Sequence, residues 1–293
     1  MNLTVVIVSY KSSHLLDELI LDIPKNFEII IVENSLDANL KKLEKKYNNV
    51  EVVFPNKNLG LGKAMNLGLN KSKNNFVWCL CPDVKISTKC YTEIFNLLNH
   101  FDDFSLISPT YFDEKIHKNY TSSDMNLSDN VRVIKNYKLI AVEEIDFATV
   151  IVNKSKIDSN NMMDENIHLY FENQEVCLRF KKQGKKLYVV DNLKFVHHGT
   201  QSSDPSLKFD IQIHRNWHYC WSKFYYLRKH YNYLYAFRKT LPNLLRALKK
   251  CFIYTIKNDR ANFKLHKAEV LGLINSYLLR KSLHRPPQDK NVQ

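Results

Sequence analysis

The stretch Leu3-Thr4-Val5-Val6-Ile7-Val8-Ser9-Tyr10 decides the fold. Its mostly β-branched run shows no polar alternation, which is the pattern of a strand buried on both faces of a parallel sheet. Residues 12–22 then place Leu15, Leu16, Leu19 and Ile20 on one helical face, with Ser12 or Ser13 at the N-cap. The same couple recurs downstream. Strands are predicted at 27–32, 50–54, 76–81 and 105–108, with helices at 38–47, 60–71 and 88–99 between them. Strand and helix alternating at this spacing predict an α/β fold with a mostly parallel, doubly wound sheet. Beyond a polar excursion at 110–140, further strands are predicted at 145–152 and 186–190, flanking a helix at 169–183 that Gly184 closes.

In such a sheet, ligands bind beyond the carboxyl ends of the strands. The polar residues at those ends are Ser9 and Tyr10, then Glu33-Asn34-Ser35, then Asn56 and Asn58, then Asp83. Each alone is a turn former; together they make a binding rim. Asn58-Leu59-Gly60-Leu61-Gly62 runs as a glycine turn into a helix, and exposed amides at a helix start suit phosphate or a base edge. The spacing is neither the dinucleotide fingerprint nor the P-loop, which sets aside a dehydrogenase or P-loop kinase.

Taken in order, Val6-Ile7-Val8-Ser9-Tyr10, Val32-Glu33-Asn34-Ser35, the 58–69 glycine segment and Leu80-Cys81-Pro82-Asp83-Val84 resemble the family 2 glycosyltransferases, especially bacterial rhamnosyltransferase-like members. Met163-Asp164-Glu165 with Tyr170-Phe171-Glu172-Asn173-Gln174-Glu175-Val176-Cys177-Leu178-Arg179 resembles that family's acidic segment, and Val196-His197-His198-Gly199 with Ser202 its closing histidine motif. The resemblance implies a GT-A fold over residues 1–206 and an inverting transfer from a nucleotide-diphospho-sugar, a dTDP- or UDP-sugar. It implies that Ser9, Tyr10, Glu33, Asn58, Gly60, Asn66 and Asp83 line the nucleotide-sugar site. Asp83 and His197 would hold magnesium or manganese. The family's general base is an aspartate where this chain has Asn173, so Glu172 or Glu175 is expected to take the acceptor's proton, Glu172 being nearer the missing group.

The remaining 207–293 has another character. It holds 18 Lys and Arg against 4 Asp and Glu, so it carries the whole of the chain's +13 net charge while the body is close to neutral. Ten aromatic residues fall between Trp217 and Phe237. Apolar stripes recur at helical spacing over 241–256, with Pro242 read in the first turn, and over 265–280. A basic, aromatic, amphipathic extension fits an anionic membrane surface, hence a lipid-linked or saccharide acceptor at the inner face of the cytoplasmic membrane. The competing readings are a nucleic-acid binder working through this extension and a sugar-nucleotide binder without turnover. No recognised RNA-binding motif supports the former. The six cysteines lack metal or disulfide spacing and are read as free, mostly buried thiols in a reducing compartment. Neither a signal-peptide pattern nor a run of ~20 apolar residues is present, so the expected location is cytoplasmic.

Overall fold

A computed structural model describes residues 2–112, 118–122, 130–197, 208–282 and 284. By their contacts these form two compact units. One comprises the chain through 59, 63–163 and 173 onward through the last strand. The other comprises 60–62, 164–172 and the C-terminal helices.

The first unit is a mixed α/β sandwich. Its strands are β1 (Leu3–Ser9), β2 (Glu28–Glu33), β3 (Val50–Val53), β4 (Phe76–Leu80), β5 (Val84–Lys85), β6 (Leu106–Tyr111), β7 (Tyr120–Thr121), β8 (Val131–Ile134), β9 (Tyr137–Ala141), β10 (Glu144–Ile145), β11 (Thr149–Asn153) and β12 (Leu187–His197). The helices are α1 (Ser13–Asp22), α2 (Lys42–Lys46), α3 (Leu61–Lys71), α4 (Thr88–Leu98) and α5 (Glu172–Lys182). The main sheet runs β3-β2-β1-β4-β11-β6-β12-β9-β8. The expected parallel half is present: β3, β2, β1 and β4 pair in parallel, as do β6 and β12. The predicted strand at 145–152 resolves into β10 and β11, and β11 lies antiparallel between β4 and β6. The predicted helix at 38–47 opens as a 3-10 turn before α2.

β1, β2 and β4 are buried almost throughout, as an unbroken apolar run requires. Trp78 anchors the centre and donates its indole N–H to Thr149 Oγ1 at 2.6 Å, so its one polar atom is satisfied in the core. The six cysteines are free thiols, and burial pushes Cys79, Cys90, Cys177 and Cys220 up to about 12, so they stay protonated packing groups.

The second unit is built on α6 (Lys208–His230), α7 (Tyr233–Ile256) and α8 (Arg260–Tyr277), each packed on the other two. The connections are short and capped by side chains. Asn232 accepts from Tyr235 N–H at 2.8 Å, and Asp259 accepts from Asn262 N–H at 3.0 Å. A Cβ on Gly272 would lie 2.3 Å from the Trp217 carbonyl oxygen, so glycine sets how closely α8 approaches α6. The reading of Pro242 as a first-turn residue is corrected here: α7 begins at Tyr233, and Pro242 sits in its interior, where it removes one backbone hydrogen bond. Of the ten aromatics between Trp217 and Phe237, Trp217, Trp221 and Phe224 are buried among the helices. No helix among the described residues is long and apolar enough to cross a membrane.

Candidate active site

The carboxyl ends of β1 and β2 are tied together before any ligand is considered. Ser9 is buried and shares a 3.0 Å hydrogen bond with Ser12, whose Oγ also accepts the Tyr10 N–H. Asn34 N–H donates to the Ser9 carbonyl at 2.8 Å, and Asn34 Oδ1 accepts the Leu59 N–H at 3.1 Å. Glu33 Oε1 accepts from the Ser35 N–H at 2.7 Å and from the Ser35 hydroxyl. Its second oxygen, Oε2, is buried with no partner among the described residues, although Glu33 is only 1% exposed. A buried carboxylate oxygen without a donor costs stability. A ribose hydroxyl or base N–H would satisfy it.

Asn58 is half-buried on the segment leading to the glycine turn. Gly60 has φ +80, and a Cβ there would fall 2.4 Å from His168 Nδ1, so both its backbone conformation and its neighbour demand glycine. Asn66 uses both ends of its amide on Met163, donating to the carbonyl at 3.0 Å and accepting the N–H at 2.9 Å. Its part in shaping the wall is therefore to clamp the chain at Met163 across 97 residues.

Asp83 and His197 meet because of strand register. β5, directly after Asp83, pairs antiparallel with the end of β12, setting His197 opposite Val84. The His197 Nε2 to Asp83 Oδ1 distance is 3.2 Å, with Asp83 buried. Behind them, Tyr111 OH lies 3.0 Å from His197 Nδ1 and donates to Asp146 Oδ2 at 3.3 Å. Burial opposes a charged His197 ring, but the hydrogen bond and charge of Asp83, with Asp146 beyond, outweigh it and raise its pKa. With both nitrogens protonated, Nε2–H donates to Asp83 and Nδ1–H to the Tyr111 oxygen. A carboxylate and an imidazole sharing one proton in this way form a donor pair that a divalent cation can take over. Tyr111 and Asp146 were not legible as site residues, since Tyr111 fell in the polar excursion at 110–140 and Asp146 inside a predicted strand. His198, Gly199 and Ser202 lie outside the described residues.

The two expected bases differ. Glu175 is fully buried and paired with Arg179, whose Nε lies 3.0 Å and 3.3 Å from its two oxygens and whose Nη2 adds a contact of 3.0 Å. Arg179 in turn donates to the Met162 carbonyl at 2.6 Å, which makes the pair a strut at the foot of α5. Glu172 opens α5 and is also buried. Asn173 Nδ2 points at Glu144 Oε1, 3.4 Å away, and at the Ile145 carbonyl at 3.5 Å. Glu144 is half-buried on β10. Burial raises its pKa, the Asp146 charge adds to the rise, and Gln174 hydrogen bonding opposes it. No sequence signal marked Glu144, since a two-residue strand has no periodicity.

Among curated proteins, the dTDP-rhamnosyl transferase RfbF of Shigella flexneri is 22% identical over 90% of this chain and 93% of its own. Among solved structures, the mannosyltransferase PcManGT from Pyrobaculum calidifontis, in complex with GDP-Man and Mn2+, superposes with a TM-score of 0.55 at 10% identity, covering 94% of this chain and 86% of that one. GalNAc-T7 with UDP, GalNAc and Mn2+ gives 0.55 at 16% identity, covering 78% of this chain and half of that one. These likenesses establish the GT-A fold. The model of glycosyl transferase family 2 matches residues 4–162, more than half of the sequence, and the chain belongs to that family as a glycosyltransferase.

Proposed function

We propose that the protein inverts the anomeric centre of a nucleotide-diphospho-sugar, a dTDP- or UDP-hexose with rhamnose first in order, while transferring it to a hydroxyl of a saccharide or lipid-linked acceptor. The Asp83–His197 pair at the rim of a family 2 fold carries this reading. The rhamnosyl transferase that aligns over nearly the whole chain supports a dTDP-sugar as donor. The unpartnered Glu33 oxygen supports a nucleotide at the β1–β2 rim.

A carboxylate with an imidazole fits manganese or magnesium, the nitrogen favouring manganese. Asp83 and His197 would hold the ion, which when bound neutralises charge on the departing diphosphate. Tyr111 fixes the His197 ring from behind, as outer hydrogen bonds do for ligating histidines.

The chemistry needs one base. As the acceptor oxygen bonds to the anomeric carbon, the bond from that carbon to the diphosphate oxygen breaks, its electron pair leaving with the nucleotide. The acceptor hydroxyl proton goes to a carboxylate. Glu144 is the best placed, because it faces Asn173, where the family carries its base, and burial keeps it basic enough to accept a proton. Glu175 is engaged by Arg179. Glu172 is the remaining alternative.

The basic helices support work at an anionic membrane surface, with residues 207–293 as the attachment region at the inner face of the cytoplasmic membrane. α7 holds no acidic residue, carries Arg238, Lys239, Arg246, Lys249 and Lys250, and leaves Phe252 and Ile256 68% and 70% exposed.

The test is a donor panel of dTDP- and UDP-sugars with manganese, read as nucleoside diphosphate release. No binding and no release with any donor would overturn the reading. Tight binding without release, even with lipid-linked acceptors, would leave a sugar-nucleotide binder. Comparing Glu144→Gln with Glu172→Gln assigns the base.

A further inference from the structure

We propose that His168, His214 and His218 form a transition-metal site, built for zinc and separate from the Asp83–His197 pair. The three rings come from two segments. His214 and His218 are four apart on α6, so they project from one face one turn apart, and their centroids are 4.4 Å apart. His168, on the stretch before α5, places its ring 5.4 Å from His214 and 4.7 Å from His218. One nitrogen from each ring lies within 4.8 Å of the others. Tetrahedral zinc with bonds of about 2.0–2.1 Å asks for nitrogens about 3.3 Å apart. Ring rotations closing the cluster by at most about 1.5 Å satisfy that.

The surroundings match those of ligating histidines. All three are buried, at 4%, 6% and 0% exposure for His168, His214 and His218. His218 Nε2 donates to the His284 carbonyl at 2.9 Å, which fixes the tautomer and makes Nδ1 the lone-pair nitrogen, now 3.0 Å from the Ser282 hydroxyl. A backbone carbonyl holding the far N–H is the usual outer support of a metal-bound imidazole. His214 Nδ1 lies 3.2 Å from His284 Nδ1, and the His284 ring stacks on Trp217 at 5.2 Å. His284 thus packs against the His214 side of the cluster, and the three rings of His168, His214 and His218 make up the donor set. An all-imidazole set favours zinc over the hard cations that suit a diphosphate.

The site would also act on the glycine turn. The His168 carbonyl accepts the Leu61 N–H at 3.1 Å, and Gly60 packs directly on its ring. A cation gripping His168 would pin the turn and the stretch through Tyr170 and Phe171, both at positive φ.

The full-length protein, stripped with a chelator, would be titrated with Zn2+ and separately with Co2+. One equivalent should bind, with an intense visible cobalt band of tetrahedral type and a rise in Tm of several degrees. His168→Phe, which keeps an aromatic ring, and His214→Gln should each weaken binding at least tenfold. His197→Ala should retain the equivalent. Should one of the two cluster variants fail to fold by circular dichroism, the other decides. No stoichiometric zinc, binding that persists in the folded cluster variants, or loss of the ion in His197→Ala would each overturn the proposal, leaving the histidines as core packing.

Discussion

The sheet unit and the helical unit bury polar groups for opposite ends. In the sheet unit, polar side chains gather where strands stop, and Glu33 Oε2, Asp83 and Glu144 are left in states that ligands or protons can change. In the helical unit, Asp164 is satisfied by Tyr225 and Lys229, and three imidazoles sit in the interior. The charge divides the same way, with the body near neutral and the helices strongly basic. On the proposed function, buried polarity at strand ends marks the reacting centre, whereas abundance of charge marks only a surface.

The harshest way to break that distinction is Asp83→Asn. If Asp83 holds the cation as proposed, its loss removes several kcal/mol of stabilisation from the departing diphosphate, about a thousandfold or more in turnover. Raising manganese should recover part of it. Unchanged kcat/KM in a metal-stripped assay would show that strand-end polarity is not the reacting centre.

Glu144→Gln comes next, at about a hundredfold or more, the span of a lost general base. A base works only when ionised. Because burial raises the Glu144 pKa above its ordinary value, wild-type kcat/KM should climb with pH along a limb displaced upward from the usual carboxylate range. The glutamine variant should lose that limb as well as rate. A rate drop with the limb intact would move the base to Glu172.

The helical side is probed by Lys249→Ala with Lys250→Ala. Each basic residue near an anionic bilayer contributes about 1 kcal/mol, so partition onto phosphatidylglycerol vesicles should fall about thirtyfold. Neutral vesicles should show little binding from either protein. Single-stranded RNA shifting with the same lysine dependence, without vesicle binding, would instead make the basic surface a nucleic-acid groove.

What could be read from sequence followed from physical range. β1, β2 and β4 were legible because strands buried on both faces need consecutive apolar residues, as in Leu3–Ser9 and Phe76–Leu80. The rim was legible because turns after such strands collect Ser, Asn and Asp. The pairing of Asp83 with His197 was implied by family resemblance alone, since it depends on the register of β5 against β12 across 114 residues. Glu144 and Tyr111 left no signal, because each matters through a partner far along the chain. The start of α7 was misread since Pro242 resembles a helix opening, and tertiary packing carries the helix through it.

The smallest effect belongs to Asp164, and it separates the two kinds of buried polarity by pH. Burial alone would raise this carboxylate's pKa. Lys229 at 2.7 Å, the Asn166 N–H at 2.9 Å and Tyr225 at 2.8 Å reverse that and hold it below its ordinary 3.8. A lowered folded pKa means that the ionised form stabilises the fold. That contribution is complete above the unfolded value and disappears as pH falls through the folded one. Asp164→Asn keeps an acceptor for Tyr225 but loses the ion pair, and Lys229 is one-third exposed. The cost should be about 1–2 kcal/mol at pH 7, at the low end for a hydrogen bond to a charged group. In urea titrations the midpoints of the two proteins should differ near neutrality and converge only as pH falls below the ordinary carboxylate value and through the lowered folded one. A gap that persists at low pH would mean that the aspartate acts through shape rather than charge.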